Sequence, residues 1–525
     1  MPNIITRRSF LKASTKTAFG VGLASLMNVP PFLKRALAEG NIGINGKKLL
    51  FVFLRGGNDG VNNILPILDP SYLNNRAVIG IPKHPNGDAY YQQTGGPGTC
   101  PGVDLAAPGA AIPLCNGFAA INPALANLVP LYKSGKLAMI HRAGYRSLSR
   151  SHFDSEVYWE KATDGVSANN RLVADGVWYR AIVESGWNRT HALSGVSIQS
   201  NMPQSLRGLE PMTNLSSINR YNTLGVYSPV GATNTDRIKL LNAIDAANFQ
   251  PRPGKDNREM VYNLSVAFRD TLDIFQDPSF QTNAFFDDNG TTSLFPINAG
   301  SDQAGLGSGA YGFMQNIKSC AQILNGTDAI ITGTEIGGWD THTGQVTAGS
   351  PHLGGHATLM RRVAWAYHAL WKYFSRYADK ATWENTILVT MSEFGRTSAE
   401  NASMGTDHAE ASVMYVAGGG VNGGVYGCDD LLPNPKLNNE YNWVRGTTGK
   451  TGSLFTADTN VGYLRRTIDY RSVIGEIIRD HLGATQNQLD RIIPAYANPA
   501  EFLRTGTGTM NTINGTRIWG ELGIV

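Results

Sequence analysis

Four short apolar runs, each ending abruptly at polar or glycine-rich residues, constrain the fold of this chain more than any other feature. They are 49–54 (LLFVFL), followed by Arg55-Gly56-Gly57-Asn58-Asp59-Gly60; 137–141 (LAMIH), followed by the loop 142–151; 386–390 (TILVT), followed by Met391-Ser392-Glu393; and 412–417 (SVMYVA), followed by three glycines. Runs of this length bounded by turn chemistry read as strands buried on both faces, as in a parallel sheet covered by helices. A weaker fifth run, 329–332, shortly precedes Gly337-Gly338-Trp339-Asp340-Thr341-His342. Between these runs, 356–377 places Leu359, Val363, Ala366, Tyr367, Leu370 and Phe374 three and four apart, one face of a covering helix, and 122–134 reads as another helix with Pro123 in its first turn. The expected fold is therefore α/β, a mostly parallel central sheet with helices on both faces. Residues 82–117 and roughly 190–255 are rich in Gly, Pro, Asn and Ser with little periodicity, and are expected to form surface loops or a cap, with an insertion at about 190–300.

The first 38 residues stand apart from that pattern. Thr6-Arg7-Arg8-Ser9-Phe10-Leu11-Lys12 is a paired-arginine segment, followed by a modestly apolar stretch at 18–29 and the small residues Ala36-Leu37-Ala38. This is the layout of a twin-arginine export signal. The apolar stretch includes two glycines, a serine and an asparagine over twelve residues, too short and too polar to span a hydrocarbon core of about 30 Å. The expectation is a signal peptide at 1–38 and a periplasmic or secreted domain at 39–525. Its partner in transit would be the twin-arginine export machinery, with no stable membrane span.

Six of the 45 Lys and Arg residues lie in 1–38 with no acidic residue, so the remaining 487 residues carry 39 basic against 41 acidic side chains, a formal charge of −2. No cationic stripe of the kind nucleic acid requires is present, and nucleic acid is not expected as a partner. The four cysteines show no Cys-x-x-Cys spacing. Cys100 and Cys115 share one loop, and an oxidising compartment permits a bridge between them without requiring it.

Polar residues collect at the predicted strand ends. Asp59 follows the first strand, Asp340 and His342 follow the weak one, Glu393 follows TILVT, and Asp407-His408 precede SVMYVA. In open parallel sheets ligands sit beyond the carboxyl ends of the strands, where loops converge. Carboxylates and imidazoles crowded there must be protonated, hydrogen-bonded or neutralised by a metal. A divalent metal bound by these six residues is the simplest resolution, and a mixed Asp, Glu and His set suits zinc or manganese better than magnesium or calcium. Each residue also has a plainer role open to it: a turn residue for Asp59, a helix cap for Asp340, an internal salt bridge with Arg396 for Glu393. Ser151, three residues before Asp154, fits a helix cap, and the same position offers a hydroxyl to an anion or a metal.

These residues form a familiar set. The run 54–62 (LRGGNDGVN), Arg150-Ser151-His152-Phe153, 337–342 (GGWDTH), 392–397 (SEFGRT), Gly405-Thr406-Asp407-His408 and Asp469-Tyr470-Arg471 together resemble the bacterial domain of unknown function 1501 family, assigned to the alkaline phosphatase and sulfatase superfamily. That resemblance implies an alkaline phosphatase-like fold with an Asp after the first strand, a hydroxyl nucleophile at a helix start, and later Asp and His metal ligands. Asp59, Ser151, Asp340, His342 and His408 match those positions in order. The Asp340/His342 spacing is two where phosphatases commonly have four, and Glu393 stands where relatives have Asp-His. The implied activity is metal-dependent hydrolysis of a small phosphate or sulfate ester. Ser151 would be the nucleophile, His152 would protonate the leaving group or orient Ser151, and Arg150 or Arg142 would bind the non-bridging oxygens. The alternative is a binding or envelope-organising protein that keeps the fold and a metal without turnover.

Overall fold

A computed structural model of the chain describes chiefly residues 42–166, 173–218, 284–427, 466–504 and 510–525. The expected signal at 1–38, most of 219–283 and Cys428 lie outside the described residues.

The strands of the central sheet are β1 (Lys48–Leu54), β2 (Leu137–Gly144), β3 (Gly195–Ile198), β4 (Thr213–Leu215), β5 (Ile331–Ile336), β6 (Thr386–Met391), β7 (Ser412–Gly418), β8 (Gly424–Tyr426), β9 (Ile468–Asp469), β10 (Met510–Ile513) and β11 (Thr516–Trp519). Among the described residues they form one eleven-stranded sheet in the order β10-β11-β9-β2-β7-β6-β1-β5-β3-β4, with β8 also paired to β2. The four apolar runs are β1, β2, β6 and β7, and every residue of all four is buried. The fifth run is β5, shifted a few residues toward the GGWDTH segment.

The sheet is mostly parallel, as expected. Its central exception is β7, antiparallel to both β2 and β6. Because β7 runs the other way, its beginning lies at the edge where β1, β2, β5 and β6 end. That places residues before β7 beside residues after the other strands.

The described helices include α1 (His152–Lys161), α2 (Val177–Ser185), α3 (Tyr311–Gly326), α4 (Gly355–Arg376) and α5 (Tyr470–Glu476). All six apolar positions of the expected stripe on α4 are buried. The segment 122–134 is a 3₁₀ turn, Pro123–Leu128, continued by a short α-helix, Val129–Lys133, and the second proline at 130 sits near the start of the latter. Asn122 caps it by accepting a hydrogen bond from the Ala124 amide.

Two expectations about loops need correction. Residues 195–198 and 213–215, assigned to an irregular cap, are β3 and β4 and extend the parallel sheet at its edge. Four- and three-residue strands are too short to show a period among Gly, Ser and Asn. Residues 82–117 are not wholly peripheral either: Leu105 is exposed, but Tyr91, Ile112, Leu114 and both cysteines are buried. Ile112–Pro113 joins a small three-stranded sheet with Ala120–Ile121 and Ile64–Leu65, and a Cys100–Cys115 disulfide closes the loop with Cα atoms 5.4 Å apart.

Candidate metal centre

Two glycines after β1 permit the close packing on which the site depends. Gly56 has φ +122°, and a Cβ there would lie 2.4 Å from the Asp340 amide nitrogen; at Gly57, φ +75°, it would lie 2.5 Å from the Phe394 ring. Any side chain at either position would push apart the segments that follow β1, β5 and β6. The segment after β5 is pinned in turn by Trp339, buried, with its indole N–H on the Ile336 carbonyl at 3.0 Å and its backbone amide on the Arg55 carbonyl at 3.2 Å. Asp340 follows directly.

After β6 the chain forms a short antiparallel pair, Gly395–Arg396 with His408–Ala409, in which Arg396 lies opposite His408. Arg396 is fully buried, and its guanidinium donates to Asp340 Oδ1 at 2.5 Å and to the carbonyls of Gly56, Gly57, Trp339 and Thr406. It ties together three segments that are far apart in sequence. His152, the first residue of α1, completes the group, entering from the loop after β2.

At the centre, His342 Nε2 lies 2.9 Å from His408 Nε2 and 3.2 Å from Asp340 Oδ1. His408 Nε2 is 3.4 Å from the same oxygen, and His152 Nε2 is 3.5 Å from Asp340 Oδ2. Ligand atoms of His152, Asp340 and His408 all fall within 4.8 Å of one another. Each imidazole has its other nitrogen engaged: His152 Nδ1 with Glu393 Oε1 at 2.9 Å, His342 Nδ1 with Asp407 Oδ1 at 2.9 Å, and His408 Nδ1 with the Arg150 carbonyl at 2.8 Å. All three partners are acceptors, so each Nδ1 is assigned as the N–H donor, which leaves the Nε2 atoms beside Asp340 as the nitrogens that could hold an ion when deprotonated. Two lone pairs facing each other at 2.9 Å repel unless a cation or a proton lies between them. The His152 Nε2 atom is buried and makes no hydrogen bond. This donor set, three imidazoles and a carboxylate with outward acceptors behind the rings, fits a first-row divalent ion.

The charges around the rings are finely placed. The hydrogen bond to Glu393 raises the His152 pKa, while burial lowers that of His408. Burial alone would raise the Asp340 carboxyl, but the Arg396 guanidinium outweighs it and holds the carboxyl below its usual range. Glu393 is buried, and its Oε1 also accepts from the Gly56 amide at 2.6 Å. Phe394 packs against the rings of His152 and His408, centroids 4.8 and 4.5 Å away.

Of the six residues expected to bind metal, the structure brings Asp340, His342 and His408 together at the centre. Glu393 and Asp407 stand one step back, each accepting from a histidine. Asp59 does not join them. It is fully buried, with Oδ2 and Oδ1 accepting from Arg76 at 2.6 and 3.0 Å and Oδ2 also from Gln345 at 2.6 Å. Burial raises its pKa, and Arg76 more than reverses that. The plain salt bridge considered for Glu393 and Arg396 is replaced by Arg396–Asp340.

Residues 46–442 of the chain match the family described as "Protein of unknown function (DUF1501)". The chain belongs to that family. No curated protein and no solved structure matches it. All of the DUF1501 residues just described, from Asp59 to His408, fall within the matched range.

Among the residues expected to act chemically, Ser151 caps α1, its Oγ accepting from the Asp154 amide at 3.5 Å. It is bracketed by Arg150, whose carbonyl binds His408, and by His152 in the cluster. Arg142 is buried at the end of β2 with φ +59°. Sequence reasoning missed His152 as a ring of the centre, Arg396 as its internal cation, and Arg76 with Gln345 as the partners of Asp59. The Ser-His-Phe-Asp segment resembled a helix start and nothing in its spacing marked the histidine, while Arg76 sits in an unremarkable polar stretch.

Proposed function

We propose that this DUF1501 protein is an exported, metal-dependent hydrolase of a small phosphate or sulfate ester, built on an alkaline phosphatase-like fold. The observation that carries the reading is the convergence of three imidazole Nε2 atoms on Asp340 with each Nδ1 already committed. The centre is also open: the side chains of Asp340 and His342 are 47% and 40% solvent-exposed, unlike a closed structural site. A bound divalent ion would polarise an ester oxygen and offset charge on an anionic substrate.

Ser151 is the nucleophile in this reading. Its position at the N-terminus of a ten-residue helix favours an approaching anion. Attack by Ser151 Oγ on phosphorus or sulfur would break the bond to the alcohol oxygen, which leaves with a proton, and water would then release the acid from serine. His152 contributes its ring to the centre and Glu393 fixes its tautomer. The disulfide at Cys100–Cys115 supports maturation in an oxidising compartment, as export by the paired Arg7-Arg8 signal would provide. The reading without turnover draws on one observation, that four protein donors would fill a tetrahedral ion.

The test is to purify the exported protein, measure bound metal, and screen aryl phosphate and aryl sulfate esters with the native chain, Ser151→Ala and Asp340→Asn. Hydrolysis by the native chain should be lost in both variants, with metal retained in Ser151→Ala alone. Metal without turnover of any ester would overturn the hydrolase and leave the binding protein.

A further inference from the structure

The three imidazoles of the centre are backed by acceptors of unequal firmness. Behind His152, Glu393 is buried and also accepts from the Gly56 amide. Behind His408 stands a backbone carbonyl, that of Arg150, next to the capped start of α1. Behind His342 stands the carboxylate of Asp407, and that side chain is 59% exposed. A solvent-exposed side chain has several rotamers open to it, so this arm of the centre has to be held by something other than burial.

Asn401 is placed to hold it. It lies in the loop between the short strands Gly395–Arg396 and His408–Ala409, and its side-chain amide is engaged on both sides. Oδ1 accepts from the backbone amides of Ser403 at 2.9 Å and Gly405 at 3.1 Å. Nδ2 donates to the His342 carbonyl at 2.9 Å and makes a longer contact, 3.4 Å, with Asp407 Oδ1, the oxygen that meets His342 Nδ1. Two oxygens on one side and two backbone N–H groups on the other leave a single orientation for the amide. Gly405 lets the loop come this close, since a Cβ there would lie 2.2 Å from the His342 carbonyl oxygen. The loop is anchored separately by Glu400, whose carboxylate accepts from the backbone amides of Val78 and Ile79 at 3.0 and 2.9 Å. We propose that Asn401 is a positioning residue of the metal centre. It ties the His342 backbone and the Asp407 carboxylate to one turn, and so sets where the His342 ring stands against Asp340 and His408.

This inference rests on the metal centre of the proposed hydrolase, and its test separates the two. The full exported chain, stripped with a chelator and dialysed, is titrated with Zn²⁺ alone, and the denaturant midpoint of each metal-free variant shows that it is folded. Asn401→Asp keeps both acceptor bonds of the turn but sets a carboxylate oxygen against the His342 carbonyl and Asp407. Zn²⁺ affinity should fall about tenfold, the lower end of what an outer hydrogen-bond partner contributes. Negative charge added beside a cation site would by itself tighten binding, so a fall reports lost positioning. Asn401→Ala, which adds no charge, should lose as much; if it does not fold, Asn401→Asp decides. Glu400→Gln, on the same loop, should keep native affinity whatever its effect on the midpoint. Unchanged or tighter binding in Asn401→Asp would overturn the positioning role and leave the hydrolase standing. An equal loss in Glu400→Gln would overturn it too, because the loop as a whole would then be the support. No binding to the native chain would overturn both.

Discussion

Asp59 and Asp340 follow adjacent parallel strands, β1 and β5, and reach the same edge of the sheet, yet they are built for opposite purposes. Asp59 is sealed in, with Arg76 and Gln345 satisfying both of its oxygens. Asp340 is half exposed, with Arg396 on one oxygen and three imidazoles around it. A carboxylate whose oxygens are both held by fixed donors holds a fold together, whereas one that stands among imidazole nitrogens and is partly open to solvent is placed to hold an ion. The difference lies in what the neighbouring segments deliver.

The sharpest way to break the comparison is at Arg76. Arg76→Ala would leave the Asp59 carboxylate buried with no cation, and removing one member of a buried pair typically costs about 3–5 kcal/mol. The expected outcome is a large fall in the denaturant midpoint. A midpoint within experimental error of the native chain would show that Asp59 is not held by this pair. Glu393→Gln acts on the other side of the comparison. It weakens the acceptor behind His152 without removing a ring, and outer partners of this kind are worth roughly 10–100-fold in metal affinity. Zinc affinity should fall by that factor with the stability of the metal-free chain little changed, and unaltered affinity would place His152 outside the coordination sphere.

A third buried carboxylate has neither solution. Glu476, on α5, accepts from the backbone amides of Leu522 and Ile524, and the nearby Arg479 is engaged with Glu521. Burial is the main cause of its pKa rising to about 7. A carboxyl whose pKa is higher folded than unfolded adds stability below its ordinary value near 4.5, and that stability is lost as pH rises through about 7. Glu476→Gln should therefore flatten the pH dependence of unfolding between those values. A slope identical to that of the native chain would mean that the amides alone keep Glu476 ionised.

The layout of the sheet was legible in the sequence because complete burial of β1, β2, β6 and β7 leaves an uninterrupted apolar run. The edge that gathers polar residues was legible for the same reason, since such runs show where strands stop. The reversed direction of β7 was not, and it explains why His408 precedes its strand while Asp340 and Glu393 follow theirs. β3 and β4 were hidden because short edge strands leave no periodic mark. The division between Asp59 and Asp340 was hidden because it depends on Arg76 and Arg396, and a lone arginine in sequence does not say which carboxylate it will meet. His152 was read only as an acid or an orienting group because its place at the start of α1 shows no metal-ligand spacing.

Ser151 is where the smallest stability effect and the most informative activity effect coincide. Its Oγ accepts from the Asp154 amide at 3.5 Å, a long contact, so Ser151→Ala should cost no more than about 1 kcal/mol as a lost helix cap. The backbone carbonyl of Arg150 that holds His408, and the His152 ring itself, do not depend on the hydroxyl, so the ion should remain bound at native stoichiometry. Hydrolysis should nevertheless vanish, because the attacking oxygen is gone. Ser151→Thr provides the control, since it restores both the cap and a hydroxyl and should recover part of the activity. If Ser151→Ala loses stability and keeps turnover, the serine is a cap alone, and the nucleophile must be water beside Asp340.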